Sequence, residues 1–411
     1  MIRAALVGVS GYGRWHLLML AEQALLGRVR LVAATVINQK QEAGLCDRLR
    51  AHGVELFDDY AAMLAALAGR VDLVLIPTGI HHHAAMTIAA LRAGAHVLVE
   101  KPLCGTLQEA DAIIAAARAA GRTVSVGFQD LHPPLVHDMK RRLLAGEIGT
   151  VRRVVVRAHW PRPSAYFTRN GWAGRARADG TWVLDSLVNN ACAHFLMLAL
   201  FWAGADAESA AEPVSVEGTL LRVHPIETFD TASFRLATPG GPDIEFHGTH
   251  VGNRELRPEV RVIGETGELV WTYERDCVLR RADGTSLALP VPDQLSTRLL
   301  VLENALTRIA GLPAFVVTPA LARAHTRVVH ALHALLPIHT VAAEHLVSHT
   351  ETAGVFVHLP GIDDALERAA REGLPLASLG LPSCPVASDF GVISDDRGAQ
   401  PPTLAPELQT T

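Results

Sequence analysis

The first 130 residues alternate short, mainly apolar runs with longer Ala- and Leu-rich stretches, joined by only a few residues. The apolar runs fall at residues 3–9, 29–37, 71–76, 95–99 and 123–126, and the helix-like stretches at 15–26, 60–68, 84–93 and 107–120. A strand without polar alternation is buried on both faces, which happens when helices cover both sides of a parallel sheet. Gly94 and Gly121 close two of the helices, as a left-handed cap residue requires. Short strand–helix–strand connections leave one arrangement open, a doubly wound parallel α/β sheet with right-handed crossovers.

After residue 130 the pattern changes. Strand-like segments at 151–159, 214–221, 231–237, 244–249, 259–263 and 268–273 are separated by turns such as Pro239-Gly240-Gly241 and Gly264-Glu265-Thr266-Gly267. These are meander signals, so the second half is expected to be an α+β domain with a mostly antiparallel open sheet. Helices are expected at 135–144, 185–201, 295–309 and 320–336. At 411 residues the chain exceeds a single core. The expected division is 1–130, 131–393 and a flexible tail at 394–411, where periodicity ends.

Composition removes several function classes. A net charge of −5 supplies no field for nucleic acid or an anionic membrane, and Lys140-Arg141-Arg142 reads as a solvated helix end. The apolar run 195–205 is too short to span a bilayer. Five scattered cysteines without CxxC spacing suit a reducing compartment and give no zinc framework. Residues 1–7 read as a buried strand rather than a signal peptide, because glycine punctuation starts at Gly8. The expected location is the cytoplasm.

The turn after the first run is Gly8-Val9-Ser10-Gly11-Tyr12-Gly13. Glycines let the backbone approach a pyrophosphate, and the helix that follows points its positive end at it. Gly8, Ser10, Gly11, Tyr12 and Gly13 are therefore candidate dinucleotide contacts, although Ser10 replaces the usual middle glycine. The second strand ends in Thr35-Val36-Ile37-Asn38-Gln39-Lys40, with no carboxylate for a ribose. Asn38 can bond ribose hydroxyls and Lys40 can meet a 2′-phosphate, so NAD and NADP both stay open.

The segment Gly94-Ala95-His96-Val97-Leu98-Val99-Glu100-Lys101-Pro102-Leu103 resembles the GKHVxxEKPL motif of the Gfo/Idh/MocA oxidoreductases. Pro77 with His83, Gly127-Phe128-Gln129, Gly146-Glu147-Ile148-Gly149 and Gly180 with Asp185 extend the resemblance in order, over about residues 3–275. It implies a Rossmann domain binding NAD(P) and a second domain covering the nicotinamide. It also implies homodimers or homotetramers formed through the open sheet face. The implied chemistry is hydride transfer at a hydroxyl or carbonyl carbon of a sugar, inositol or related polyol. Lys101 is the implied proton relay, tuned by Glu100. Pro77, Thr78, His83, Glu100, Lys101 and Gln129 are implied cofactor contacts, and the Lys101–Pro102 bond is expected to be cis.

The chain departs from the family in Asp185-Ser186-Leu187-Val188-Asn189-Asn190-Ala191-Cys192-Ala193-His194. Asn189 stands where many members carry a histidine four residues after the aspartate. Asp185, Asn189 and His194 are candidate catalytic residues, with His194 one helical turn beyond Asn190; the alternative is a core histidine. Polar Asn189-Asn190 within an apolar stretch is costly to bury without purpose. Trp172, Arg169 and Asn190 are candidate substrate contacts. His81-His82-His83 is expected to diverge on an extended segment and hold no metal. Two other readings compete: a hydrolase or lyase using held NAD for transient oxidation, and a nucleotide-binding regulatory protein without turnover.

Overall fold

The apolar runs of the first 130 residues form one sheet. β1 (Ile2–Val7), β2 (Val29–Thr35), β3 (Glu55–Phe57), β4 (Leu73–Ile76), β5 (His96–Val99) and β6 (Val124–Val126) lie in the order β3-β2-β1-β4-β5-β6. Every pair is parallel. The order reverses between β1 and β4, and ligands of such sheets bind outside the carboxyl strand ends at that reversal. The computed structural model describes residues 1–382 and 384–393, so the tail expected at 394–411 lies outside them.

α1 (Gly13–Leu25), α2 (Ala43–Ala51), α3 (Tyr60–Ala66), α4 (Ile80–Arg92) and α5 (Leu107–Ala120) supply the crossovers. α2 and β3 escape the periodicity argument because α2 is charged and buries only Cys46. α4 begins four residues earlier than expected, so His81, His82 and His83 form its first turn and are not extended. α6 (Pro134–Leu144) follows as expected and belongs to the second compact unit.

Residues 294–323, assigned by sequence to 131–393, belong instead with the first unit. Packing explains this. α8 (Gln294–Ile309) inserts Val301, Leu302 and Leu306 into the cluster of Ala4, Leu6, Met19 and Leu20. Burial of side chains this size is worth roughly 1.5–3 kcal/mol each. α9 (Pro319–Leu335) carries the chain into the second unit.

The second unit is built on a ten-stranded sheet. Its strands are β7 (Val151–His159), β10 (Ser215–Arg222), β11 (Thr231–Ala237), β12 (Asp243–Thr249), β13 (Leu256–Gly264), β14 (Glu268–Thr272), β15 (Asp276–Arg280), β16 (Ser286–Pro290), β17 (Ile338–Thr340) and β20 (Asp389–Val392). The order is β16-β15-β14-β13-β7-β12-β11-β10-β17, with β20 also on β10. Pairing is antiparallel except for β7 with β12 and β10 with β17. β8 (Arg177–Ala178) pairs with β9 (Thr181–Trp182), and β18 (Val347–Glu351) with β19 (Gly354–His358).

α7 (Ala193–Trp202) packs on β7, β12 and β13 and is buried from Phe195 to Trp202. α10 (Ile362–Glu372) packs on β7 and β12, burying Ile362, Ala365, Leu366 and Ala369. Glu367 pairs with Arg157, and Asp363 Oδ1 lies 2.8 Å from His159 Nδ1. Nothing after residue 337 was expected as an element. Its strands are short, and α10 hides its apolar stripe among six charged residues.

The helix expected over 185–201 forms only from Ala193. Residues 185–192 are non-helical, with turns from 187, because their side chains compete for the backbone. Asn189 Nδ2 donates to the carbonyls of Val183 and Leu184, and Asp185 accepts from Gly174 N. Among the described residues no helix is long and apolar enough to cross a membrane.

Candidate functional site

The turn after β1 is shaped by backbone contacts. Gly8 and Gly11 have φ of +86° and +53°, and a Cβ on either would point into open space. A Cβ on Gly13 would fall 2.3 Å from Gly8 O. Only glycine lets α1 start this close to the strand end, and Pro77 packs on the same atom position at 3.9 Å. No side chain caps Tyr12 and no acidic residue sits in the first turn of α1, so the positive helix end is left for an anion. This open cradle fits a dinucleotide pyrophosphate.

Ser10 does not merely replace a glycine. Its Oγ donates to Glu42 Oε1 at 2.9 Å and accepts from Asn38 Nδ2 at 3.1 Å. Glu42 also receives both contacts of Arg14 Nη2, at 2.9 and 3.1 Å. The carboxylate missing from the end of β2 is thus supplied four residues beyond Asn38, just before α2. Lys40 is exposed. Sequence spacing from the strand end could not find Glu42, because the intervening turn folds back.

The Glu100-Lys101 segment leaves the carboxyl end of β5. Glu100 Oε1 meets buried His16 Nε2 at 2.9 Å, and Oε2 accepts from Lys101 N at 3.2 Å. A Cβ on Gly127 would lie 2.7 Å from Glu100 Oε2, so this glycine is the seat of the carboxylate. Lys101 is half-buried, and the Lys101–Pro102 bond is cis. His83 is buried between two carbonyls, Pro102 O at 2.8 Å from Nδ1 and Thr78 O at 3.1 Å from Nε2. Burial holds its pKa below the ordinary value. A neutral ring donates one of these bonds, which ties the loop after β4 to the loop after β5. Tyr12 Oη donates to Gln129 Oε1 at 3.3 Å and accepts from Arg298 Nε at 3.1 Å. Gly8, Ser10, Gly11, Tyr12, Gly13, Asn38, Pro77, Thr78, His83, Glu100, Lys101 and Gln129 all lie in the first unit.

In the second unit Asp185 is the hub. Its Oδ2 accepts from Gly174 N at 2.7 Å and its Oδ1 from Asn190 Nδ2 at 2.7 Å. Arg169 Nη2 lies 3.9 Å from Oδ2. Asn189 is buried, and both protons of its amide nitrogen go to backbone carbonyls. Its geometry is that of a tie beneath the turn. His194 is half-buried at the start of α7. Asn170 Oδ1 accepts from Trp172 N, and the Arg169 guanidinium stands 3.8 Å from the Tyr166 ring and 5.5 Å from that of Trp172.

Residues that sequence reasoning passed over share one end of the second sheet. Trp160 and Arg162 follow β7, His224 follows β10, Asp230 precedes β11, and His250 follows β12. Trp160 N donates to Thr249 O and Arg162 N to His250 O, continuing the β7–β12 alignment. His250 Nδ1 faces Trp160 O at 2.8 Å, so the neutral ring carries its proton there and Nε2 is an acceptor. Burial, reinforced by Arg162, pushes its pKa down to about 3. His224 Nδ1 lies 2.9 Å from Asp230 Oδ2, and Phe167 stacks on His224 at 4.2 Å. Burial raises Tyr166 to about 12.

Comparison with known proteins follows this division. Residues 2–128 match the oxidoreductase family with an NAD-binding Rossmann fold, and residues 136–270 match the GFO/IDH/MocA C-terminal domain. The chain belongs to the Gfo/Idh/MocA family. An oxidoreductase of Salmonella typhimurium is 37% identical over 20% of this chain and 27% of the relative. D-apiose dehydrogenase of Paraburkholderia graminis is 28% identical over 72% of this chain and 74% of its own length. The chain thus spans about a quarter of the first relative and three quarters of the other. The WlbA dehydrogenase of Bordetella pertussis, solved with NADH and UDP-GlcNAcA, shares the fold. It is 22% identical, with a TM-score of 0.65 over 81% of this chain and 95% of that one.

Proposed function

We propose that this chain is an NAD-dependent oxidoreductase acting at a hydroxyl or carbonyl carbon of a sugar, inositol or related polyol derivative. The observation that carries the reading is the Glu100-Lys101 pair at the carboxyl end of β5, with Glu100 locked by His16, Lys101 N and the missing Cβ of Gly127. Bound NAD supplies the hydride acceptor. Lys101 takes the proton of the substrate hydroxyl in oxidation and returns it in reduction. Glu100, fixed in place, orients the loop through its bond to Lys101 N. His83 holds that loop against Thr78.

Asp185, Asn190 and His194 are assigned to the substrate, with Arg169 and Trp172 beside them, and Asn189 to positioning the turn. D-apiose dehydrogenase, as a relative, supports the sugar class. Glu42 supports NAD over NADP: Oε2 has acceptor capacity for ribose hydroxyls, and its bonds to Arg14 occupy the cation a 2′-phosphate would need. None of the five cysteines is in a disulfide, in keeping with a cytoplasmic enzyme.

Lys101→Ala is the test. kcat with a sugar or polyol substrate is expected to fall by about 10²–10⁴-fold, while the NADH dissociation constant stays within a few-fold of wild type. Wild-type turnover in that variant removes the assignment.

A further inference from the structure

Arg162 is the feature the oxidoreductase chemistry leaves unused. It follows β7 at the sheet end that gathers His224, Asp230 and His250. The residue is half-buried, and its Nε is buried with no hydrogen-bond partner. Among the described residues no carboxylate forms an ion pair with it. Charged groups taken out of water are ordinarily paired, and an arginine presents five donors that need acceptors.

Its surroundings hold the guanidinium without satisfying it. The Arg162 guanidinium lies 4.3 Å from the Trp160 ring centre and 5.1 Å from that of Tyr166. Stacking of this kind engages the π face and leaves the in-plane N–H groups available to donate. A second guanidinium, that of Arg169, meets the same Tyr166 ring at 3.8 Å. The nearby carboxylates are engaged elsewhere. Asp185 accepts from Gly174 N and Asn190. Asp230 accepts from His224 Nδ1 and from the backbone of Val223 and His224. His250 stays neutral beside Arg162 and offers no negative charge.

We infer that this sheet end binds an anionic group of the substrate, with the edge of Arg162 donating to paired anionic oxygens and Arg169 adding positive field. The substrate class is a sugar or polyol bearing a carboxylate, an aldonate or uronate; a phosphate ester presents the same paired oxygens. The inference rests on the oxidoreductase reading for the identity of the ligand as substrate, but the anion site stands or falls on binding alone.

Titration calorimetry on the NAD-loaded protein provides the test. The probes are D-gluconate and D-glucuronate, their neutral counterparts D-glucitol and D-glucose, and D-glucose 6-phosphate. The acids are expected to bind about 10- to 100-fold tighter than the neutral sugars, as a charge-assisted bidentate contact predicts. Arg162→Met should bring that ratio to within about threefold, and Arg162→Lys should retain part of it, a point charge replacing a fork. Circular dichroism and NADH binding of both variants verify the fold. Stronger binding of the phosphate, lost in Arg162→Met, keeps the anion site and assigns it to phosphate esters. Equal affinity for acids and neutral sugars, a preference that survives Arg162→Met, or no acid binding at millimolar concentration overturns it. NADH formation with the same panel separates the two ideas. Arg162-dependent acid binding without turnover sinks the oxidoreductase reading alone. Turnover of the panel combined with equal calorimetric affinity for acids and neutral sugars sinks the anion site alone.

Discussion

The cradle of the first unit and the sheet end of the second are made of different materials. The cradle is backbone: a strand, a turn with two glycines in the left-handed region, and a helix whose first residue would place a Cβ 2.3 Å from Gly8 O. Its residues are neighbours in sequence. The sheet end of the second unit is side chains, brought in from the ends of four strands spread over Trp160, His224, Asp230 and His250. A backbone site tolerates change around it but not at its glycines. A side-chain site depends on charge and protonation.

The largest expected effect tests the backbone half of that contrast. Gly13→Ala forces a methyl against Gly8 O, and both neighbours are main chain with little room to yield. NADH affinity is expected to drop by about 100-fold, about 2.7 kcal/mol, with overpacking costing about 1–3 kcal/mol of stability. Fluorescence titration and a melting curve measure both. A variant that binds NADH normally would mean the cradle is not built as described.

Acid should strike the second unit. Burial lowers His250 to about 3 and His333 to about 4. Below pH 6.5 the unfolded chain takes up protons that these rings refuse, so stability is complete above that pH and is lost as pH falls toward 4. Each histidine removes about 2 kcal/mol between pH 7 and pH 5. His250→Asn should flatten the dependence of melting temperature on pH over this range, and an unchanged slope would show that His250 is not held neutral.

The smallest effect concerns the one place where the cradle uses side chains. Glu42→Ala frees Arg14 and is expected to shift the NADH-to-NADPH affinity ratio by about tenfold toward NADPH. Paired titrations of the two coenzymes decide it. An unaltered ratio would leave coenzyme choice to some other group.

The same contrast explains how much of the molecule is legible in its sequence. Parallel strands with both faces buried carry continuous apolar runs, and the glycine turn, the Glu100-Lys101 pair and Gly127 are local motifs. The fold and most of the cradle were legible for that reason. Glu42 was not, because a turn returns it to Ser10 from beyond the expected strand end. Asp185 through Cys192 looked helical from its apolar content, yet Asn189 and Asp185 spend their hydrogen bonds on Val183, Leu184 and Gly174. Arg162 and His250 carry no signal in sequence, since only the pairing of β7 with β12 makes them adjacent.

The position of α10 on β7 and β12 has a bearing on self-association. Homodimers or homotetramers were expected through the open sheet face, and on those two strands the chain's own helix already lies against it. A second copy arriving there would meet exposed Asp364, Arg368 and Arg371 instead of a strand surface. Pairing through this side would therefore be brokered by the charged groups of α10, or use strands other than β7 and β12.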